Sequence, residues 1–205
     1  MLRHLTTAYY GGGSALALLA LAAATTQPAI QRLDDAVETF ADTHRTGMTP
    51  FARIGTLAGE RYIHPAIGAL SAVAVLLLRP GIGAAKVVLP LAAASLGAIL
   101  VHHAVKVVYR RPRPGSALRR GKTEPAFPSG HTADATAVVL TCAWMLARLG
   151  IVPLAPILAS ALVIAFATGV SRIALGWHWT TDVLGGWLAG IAVASQCVLL
   201  YEHLA

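Results

Sequence analysis

Three short polar blocks interrupt an otherwise apolar sequence. The blocks are Lys106 with Arg113-Pro114, then Pro128-Ser129-Gly130-His131, then Ser171-Arg172 with His178 and Asp182. Together they supply three fixed cations, two histidines and a carboxylate. Such a set contains a nucleophile, a proton donor and charges that stabilise a phosphoryl group. It can therefore break a phosphate ester without a metal.

The two histidines are predicted to have different roles. His178 and Asp182 are four residues apart, which puts them on one helical face if the last span begins before His178. Asp182 then accepts a hydrogen bond from one ring nitrogen, and the other nitrogen is free to attack phosphorus and become a phosphohistidine. His131 is the available proton donor for the leaving group and the later base for water.

The other members of the blocks are predicted to bind phosphate. Its negative charge is stabilised by three fixed cations, Lys106, Arg113 and Arg172. Ser129 and Gly130 add a hydroxyl and backbone donors at the start of a predicted span, where the helix dipole favours an anion. Ser171 offers a further hydroxyl.

Nearby polar residues allow more than one interpretation. Asp134 lies three residues after His131 and either holds it protonated or makes a helix-to-helix hydrogen bond. His102 and His103 are adjacent, so their side chains would point about 100° apart on a helix and would not readily share an ion. Three cations near the two catalytic histidines would also repel a divalent ion. We therefore expect no metal and no other cofactor.

The composition is that of an integral membrane protein, since 56% of the 205 residues are hydrophobic and 12% are charged. Six segments are apolar enough to cross or nearly cross a membrane, near 8–26, 55–79, 84–107, 130–149, 152–172 and 181–201. They show no period-2 alternation, which favours helices. We predict an all-α class: a polytopic membrane helical bundle, one domain over 1–205 with its signature region at 106–182.

The N-terminal quarter has two special features. The first segment follows Arg3 and is either a retained span or a secretory signal, and the glycines at 11–13 favour the span. Residues 27–48 place Ile30, Leu33, Val37 and Phe40 at helical spacing among charged residues. This pattern predicts an amphipathic helix on the membrane surface.

The charge pattern gives conflicting signals on orientation. Arg3, Arg79, Lys86 and Arg148 would mark the side of both termini as cytoplasmic. The segment 106–122 would then face outward, although it holds seven Lys or Arg residues. We expect its last cations to be solvated or to contact anionic head groups; these are Arg119, Arg120 and Lys122. We expect a bacterial cytoplasmic membrane protein with an extracytoplasmic site.

At the three blocks the chain resembles the type 2 phosphatidic acid phosphatase superfamily. That signature is a Lys followed after six residues by Arg-Pro, then Pro-Ser-Gly-His, then Ser-Arg followed by His and Asp, and every position is filled here. The resemblance implies a membrane lipid phosphatase. Its candidate substrates are phosphatidate, phosphatidylglycerol phosphate, polyprenyl diphosphate and polyprenyl-linked sugar phosphates.

The aromatic residues support a lipid substrate independently. Trp177 and Trp179 flank His178, and indole rings favour the head-group layer, where lipid phosphates lie. The partners expected are thus a lipid phosphate and membrane lipids, with no nucleic acid; the pattern fixes no oligomeric state. Two alternatives stay open: a phosphotransferase with an acceptor other than water, and a non-enzymatic head-group binder.

Overall fold

The computed structural model describes the backbone of residues 2–204 and the side chains of residues 11–204, which form helices and no strands. In chain order these are α1 Leu2–Ala24, α2 Pro28–Gly55, a 3-10 turn Leu57–Gly59, α3 Ile63–Leu78, α4 Ala84–Val108, α5 Gly115–Leu118, α6 Gly130–Arg148, α7 Leu154–Ala174 and α8 Thr180–His203. The predicted all-α class is confirmed. The side chain of Arg3, used above for orientation, lies outside the described part.

The predicted count of six spans is not confirmed. Among the described residues, α4, α7 and α8 are long and apolar enough to cross a membrane, and a fourth crossing results if the bent pair Gly11–Ala24 and Pro28–Gly55 is one broken span. The α3 helix has only 16 residues, whereas a crossing needs about 20. The segment predicted at 55–79 is shorter because the turn at Leu57–Gly59 interrupts the helix before α3 begins.

The α2 helix turns by 90° from α1 and continues to Gly55, seven residues beyond the predicted 27–48. Leu33 and Phe40 are exposed on it and turn away from the rest of the protein. Its buried positions are Asp34, Ala41 and Ala52. The helix therefore has an apolar outer face and packs on the protein through small residues and one buried carboxylate.

The α6 helix lies at the centre, because most of its residues are buried and it packs against α4, α7 and α8. Its contact with α8 is close: a Cβ added at Gly186 would lie 2.8 Å from the carbonyl oxygen of Ser129. The amide of Ser129 also donates a hydrogen bond of 2.8 Å to the carbonyl of Asp182. These contacts fix the start of α6, which carries the second polar block, beside the start of α8, which carries the end of the third.

Candidate active site

A cavity of about 890 Å³ lies where α4, α6 and α7 meet the loops at one end of the bundle. Its wall takes residues from all three polar blocks: Lys106, Arg113, Gly130, His131, Arg172 and His178. Asp182 is fully buried behind this wall. The structure thus brings together the two histidines and three cations that the sequence placed up to 72 positions apart.

His178 lies in the loop between α7 and α8, with only 3% of its surface exposed. Its Nδ1 is 3.4 Å from Asp182 Oδ2, and its Nε2 is 3.2 Å from Nη1 of Arg113. A guanidinium only donates hydrogen bonds, so Nε2 carries the lone pair and Nδ1 the proton. Burial, and then the charge of Arg113, lower the pKa of His178 well below its ordinary value. The ring is therefore neutral, as a nucleophile requires.

Asp182 is held by donors other than His178. Its Oδ2 accepts the amide of Trp179 at 2.9 Å, and its Oδ1 accepts Nη1 of Arg111 at 2.8 Å. The same guanidinium donates to Thr181 Oγ1 at 2.6 Å and to Asp34 Oδ2 at 2.7 Å. Arg111 and Asp34 were missed by the sequence analysis, because each looks like a solvated charge until the fold shows its partner.

The three cations are fixed by backbone or hydroxyl acceptors. Lys106 Nζ donates to the carbonyl of Pro125 at 2.8 Å. Arg113 donates to two carbonyls, those of Glu124 at 2.8 Å and Trp177 at 2.7 Å. Arg172 donates to Thr56 Oγ1 at 2.7 Å, and its buried Nε has no partner among the described residues. Each side chain keeps further N–H groups for an anion in the cavity.

The carboxylate beside His131 differs from the one considered in the sequence. His131 Nε2 lies 3.3 Å from Glu60 Oε1, a residue that was assigned no role. Asp134 instead lies across from α4, with its Oδ1 3.4 Å from His102 Nε2. This distance is that of an ion pair between α6 and α4, while Oδ1 of Asp134 has no hydrogen-bond partner among the described residues, so both roles considered for Asp134 stay predictions.

The hydroxyl groups of the two serines in the blocks, Ser171 and Ser129, both make hydrogen bonds within the protein. Ser171 Oγ donates to the carbonyl of Thr168 at 2.6 Å. A phosphate contact would require this hydroxyl proton to turn away from Thr168, and the contact stays a prediction. Ser129 is fully buried at the start of α6 and accepts a hydrogen bond from Thr132, so its phosphate contact stays a prediction.

Gly130 is the backbone element of the cavity wall. A Cβ at this position would lie 3.0 Å from the His102 ring, so only glycine lets that ring pack against the start of α6 without a shift. The amide groups of the first helical turn have no intrahelical acceptors. Gly130 therefore remains the predicted point at which backbone donors meet an anion.

Arg120 is exposed, as the sequence suggested, and it also makes contacts within the protein. Its Nη2 donates to the carbonyls of Leu175 at 2.6 Å and Gly176 at 3.0 Å, and its guanidinium lies 3.8 Å from the centre of the Trp177 ring. Arg120 therefore caps the C-terminal end of α7 and supports the loop that carries His178.

No group of three or more His, Cys, Asp or Glu side chains within the described residues has the arrangement of a metal site. The rings of the two adjacent histidines, His102 and His103, have centres 4.4 Å apart and are tilted by 35°, and His103 Nδ1 lies 2.9 Å from the carbonyl of Ile99 in the same helix. Metal independence stays a prediction.

Comparison with known proteins gives the family. The model of the PAP2 superfamily matches residues 87–204, which is more than half of the chain and includes all three blocks. The chain belongs to the PAP2 superfamily. The resemblance seen in the three blocks is thereby confirmed.

Two relatives within the PAP2 superfamily extend this result. Phosphatidylglycerophosphatase B of Bacillus subtilis (strain 168) is 34% identical over 100 residues, which are 45% of this chain and 47% of that protein. The match thus spans about half the length of this curated relative. The crystal structure of a transmembrane PAP2 type phosphatidylglycerolphosphate phosphatase from Bacillus subtilis superposes with a TM-score of 0.81 at 25% identity, covering 96% of this chain and 98% of that one. The fold is therefore that of a transmembrane PAP2 protein, and the chain is an integral membrane protein.

Proposed function

We propose that the protein hydrolyses a phosphate monoester or diphosphate of a membrane lipid, without a metal, through a phosphohistidine on His178. The observation that carries this proposal is the buried His178, with Asp182 3.4 Å from its Nδ1, in a cavity that it shares with His131 and three cations. The relatives support the reaction type, since both are named for removing phosphate from phosphatidylglycerol phosphate.

In this proposal, His178 and His131 carry out phosphoryl transfer in two steps. In the first, Nε2 of His178 attacks phosphorus, the bond between phosphorus and the leaving oxygen breaks, and His131 gives that oxygen a proton. In the second, His131 takes a proton from water, the water oxygen bonds to phosphorus, and His178 leaves as a neutral ring. Lys106, Arg113 and Arg172 stabilise the charge on the non-bridging oxygens in both steps.

We infer a lipid substrate from the surroundings of the cavity. Trp177 lines the cavity, and Trp179 follows His178 in the sequence. Indole rings favour the head-group layer of a membrane, so these two residues support a lipid substrate. Phosphatidylglycerol phosphate is the first candidate because both relatives are named for it. Phosphatidate, polyprenyl diphosphate and polyprenyl-linked sugar phosphates are the others.

We infer that the cavity opens on the extracytoplasmic face of a bacterial cytoplasmic membrane. The support is the positive-inside tendency, which assigns Arg79 and Arg148, at the far ends of α3 and α6 from the cavity, to the cytoplasm. Arg79 also donates to the carbonyls of Leu149 at 2.6 Å and Gly150 at 3.1 Å. It therefore ties these two helix ends together on the proposed cytoplasmic side.

The test is phosphate release from the four lipid phosphates in detergent micelles, with a chelator present. We expect release from at least one lipid by the native protein and none above background by His178→Ala. His44→Ala, at an exposed histidine of α2, is the matched control and should retain full activity. Full activity of His178→Ala would remove the nucleophile assignment. Release that needs an added alcohol or sugar acceptor would favour a phosphotransferase, and binding of every lipid without turnover would favour a head-group binder.

A further inference from the structure

A buried guanidinium joins two carboxylates from different helices. Arg111, in the loop after α4, contacts Asp182 at 2.8 Å through Nη1 and Asp34 at 2.7 Å through Nη2. Asp34 also accepts the amide of Thr181 at 3.0 Å and its hydroxyl at 2.6 Å. Asp34 and Asp182 are 1% and 0% exposed, so little water screens these charges.

The charge of this cluster depends on Asp34. With both carboxyl groups ionised, two negative charges face the one positive charge of Arg111, and a net charge of about minus one remains. Without Asp34, the single charge of Arg111 would balance that of Asp182, and the cluster beside His178 would have no net negative charge. A phosphohistidine places positive charge on the ring, and a negative partner at Nδ1 stabilises that charge.

We propose that Asp34 is a positioning residue for His178, since it takes up the charge of Arg111 and leaves Asp182 negative toward the ring. The inference rests on the proposed function. It assigns a role in the reaction to α2, which the sequence treated only as a surface helix. Asp34 also positions the backbone: it accepts a hydrogen bond from the amide of Thr181, the neighbour of Asp182, and so fixes the start of α8.

The first test is Asp34→Asn, which keeps the side-chain shape and removes the charge. Its kcat for phosphate release should fall by about tenfold or more, with KM changed by less than about threefold, because the cluster does not touch the substrate. Asp35→Asn is the matched control, since Asp35 is the neighbouring residue on the same helix and is exposed. Equal kcat values for the two variants would overturn the proposal.

The second test separates charge from packing. The double variant Asp34→Asn with Arg111→Gln removes one negative and one positive charge, so the net charge of the cluster returns to that of the native protein. If charge balance is the role of Asp34, the double variant has a higher kcat than Asp34→Asn alone. If Asp34 only packs, the second substitution adds to the damage, and a double variant slower than Asp34→Asn overturns the proposal.

The activities of the native protein and of these variants distinguish a failure of this inference from a failure of the proposed function. A native protein without phosphatase activity on any lipid, or an active His178→Ala, contradicts the proposed function itself. An active native protein with an inactive His178→Ala and an unaffected Asp34→Asn contradicts only the role of Asp34. Circular dichroism and a detergent melting curve of each variant show whether it is folded.

Discussion

At the residue scale, the proposed attack on phosphorus requires a neutral His178, although cations surround this ring. Burial lowers its pKa most, and Arg113, Lys106 and Arg172 lower it further. Asp182 is the negative group in contact with the ring. A positively charged imidazole has no lone pair on Nε2, so we expect this environment to keep the proposed nucleophile active in mildly acidic solution.

The pH dependence of kcat/KM should show this effect. The neutral ring is the reactive form, and its folded pKa lies below the ordinary value of about 6.5, so the limb due to His178 should lie on the acid side of pH 6.5. Arg113→Gln removes one cation and should move that limb to higher pH. The midpoint is read from a pH profile and does not depend on the absolute rate.

The control for this shift is Arg119→Gln, at a cation whose side chain is 68% exposed. Its pH profile should coincide with that of the native protein. An acid limb that stays in place in Arg113→Gln would mean that Arg113 has no electrostatic influence on His178.

Residue types and spacing were sufficient to predict the members of the three blocks that line the cavity. They were insufficient for Asp34, Arg111 and Glu60, which act through contacts between distant parts of the chain. A charged residue in a polar stretch is usually solvated, so the sequence offered no signal for these three.

Close packing of α8 on α6 sets the geometry of the site at the element scale. Gly186 lies one turn after Asp182 and faces the backbone of Ser129, one residue before Gly130. The polar blocks on the two helices therefore depend on a glycine outside every block. The presence of the helices was predictable from hydropathy. The short length of α3 was not, because the apolar run in the sequence continues through the turn at Leu57–Gly59.

Gly186→Ala should therefore disturb both stability and catalysis. The added methyl group would lie 2.7 Å from Thr132 Cβ and 2.8 Å from a carbonyl oxygen, so the helices must separate, at a cost of about 1–3 kcal/mol. Melting in detergent and kcat report the two effects.

Gly12→Ala is the control, since nothing lies within 4 Å of a Cβ added there. It should melt at the native temperature or slightly above, because alanine favours a helix more than glycine does. A Gly186→Ala protein with native melting and native kcat would show that this helix contact tolerates separation.

At the scale of the whole molecule, the described residues place the polar cavity of the site at one end of an apolar bundle. Three helices and two loops supply its charged groups: α4 supplies Lys106, α6 supplies His131, α7 supplies Arg172, and the loops after α4 and α7 supply Arg113 and His178. The α2 helix joins this end through Asp34 and places an apolar face away from the protein. The architecture holds the cations of the cavity through hydrogen bonds to carbonyl and hydroxyl oxygens, which lowers the cost of burying charge in a membrane protein.

The proposed mechanism depends most on a covalent bond between phosphorus and Nε2 of His178. The direct measurement is mass spectrometry of the protein quenched in alkali during turnover of a lipid phosphate, since phosphohistidine survives alkali better than acid. We predict a phosphoryl group on the peptide that contains His178. Turnover with an unmodified His178 peptide, or a phosphoryl group on another residue, would contradict the account.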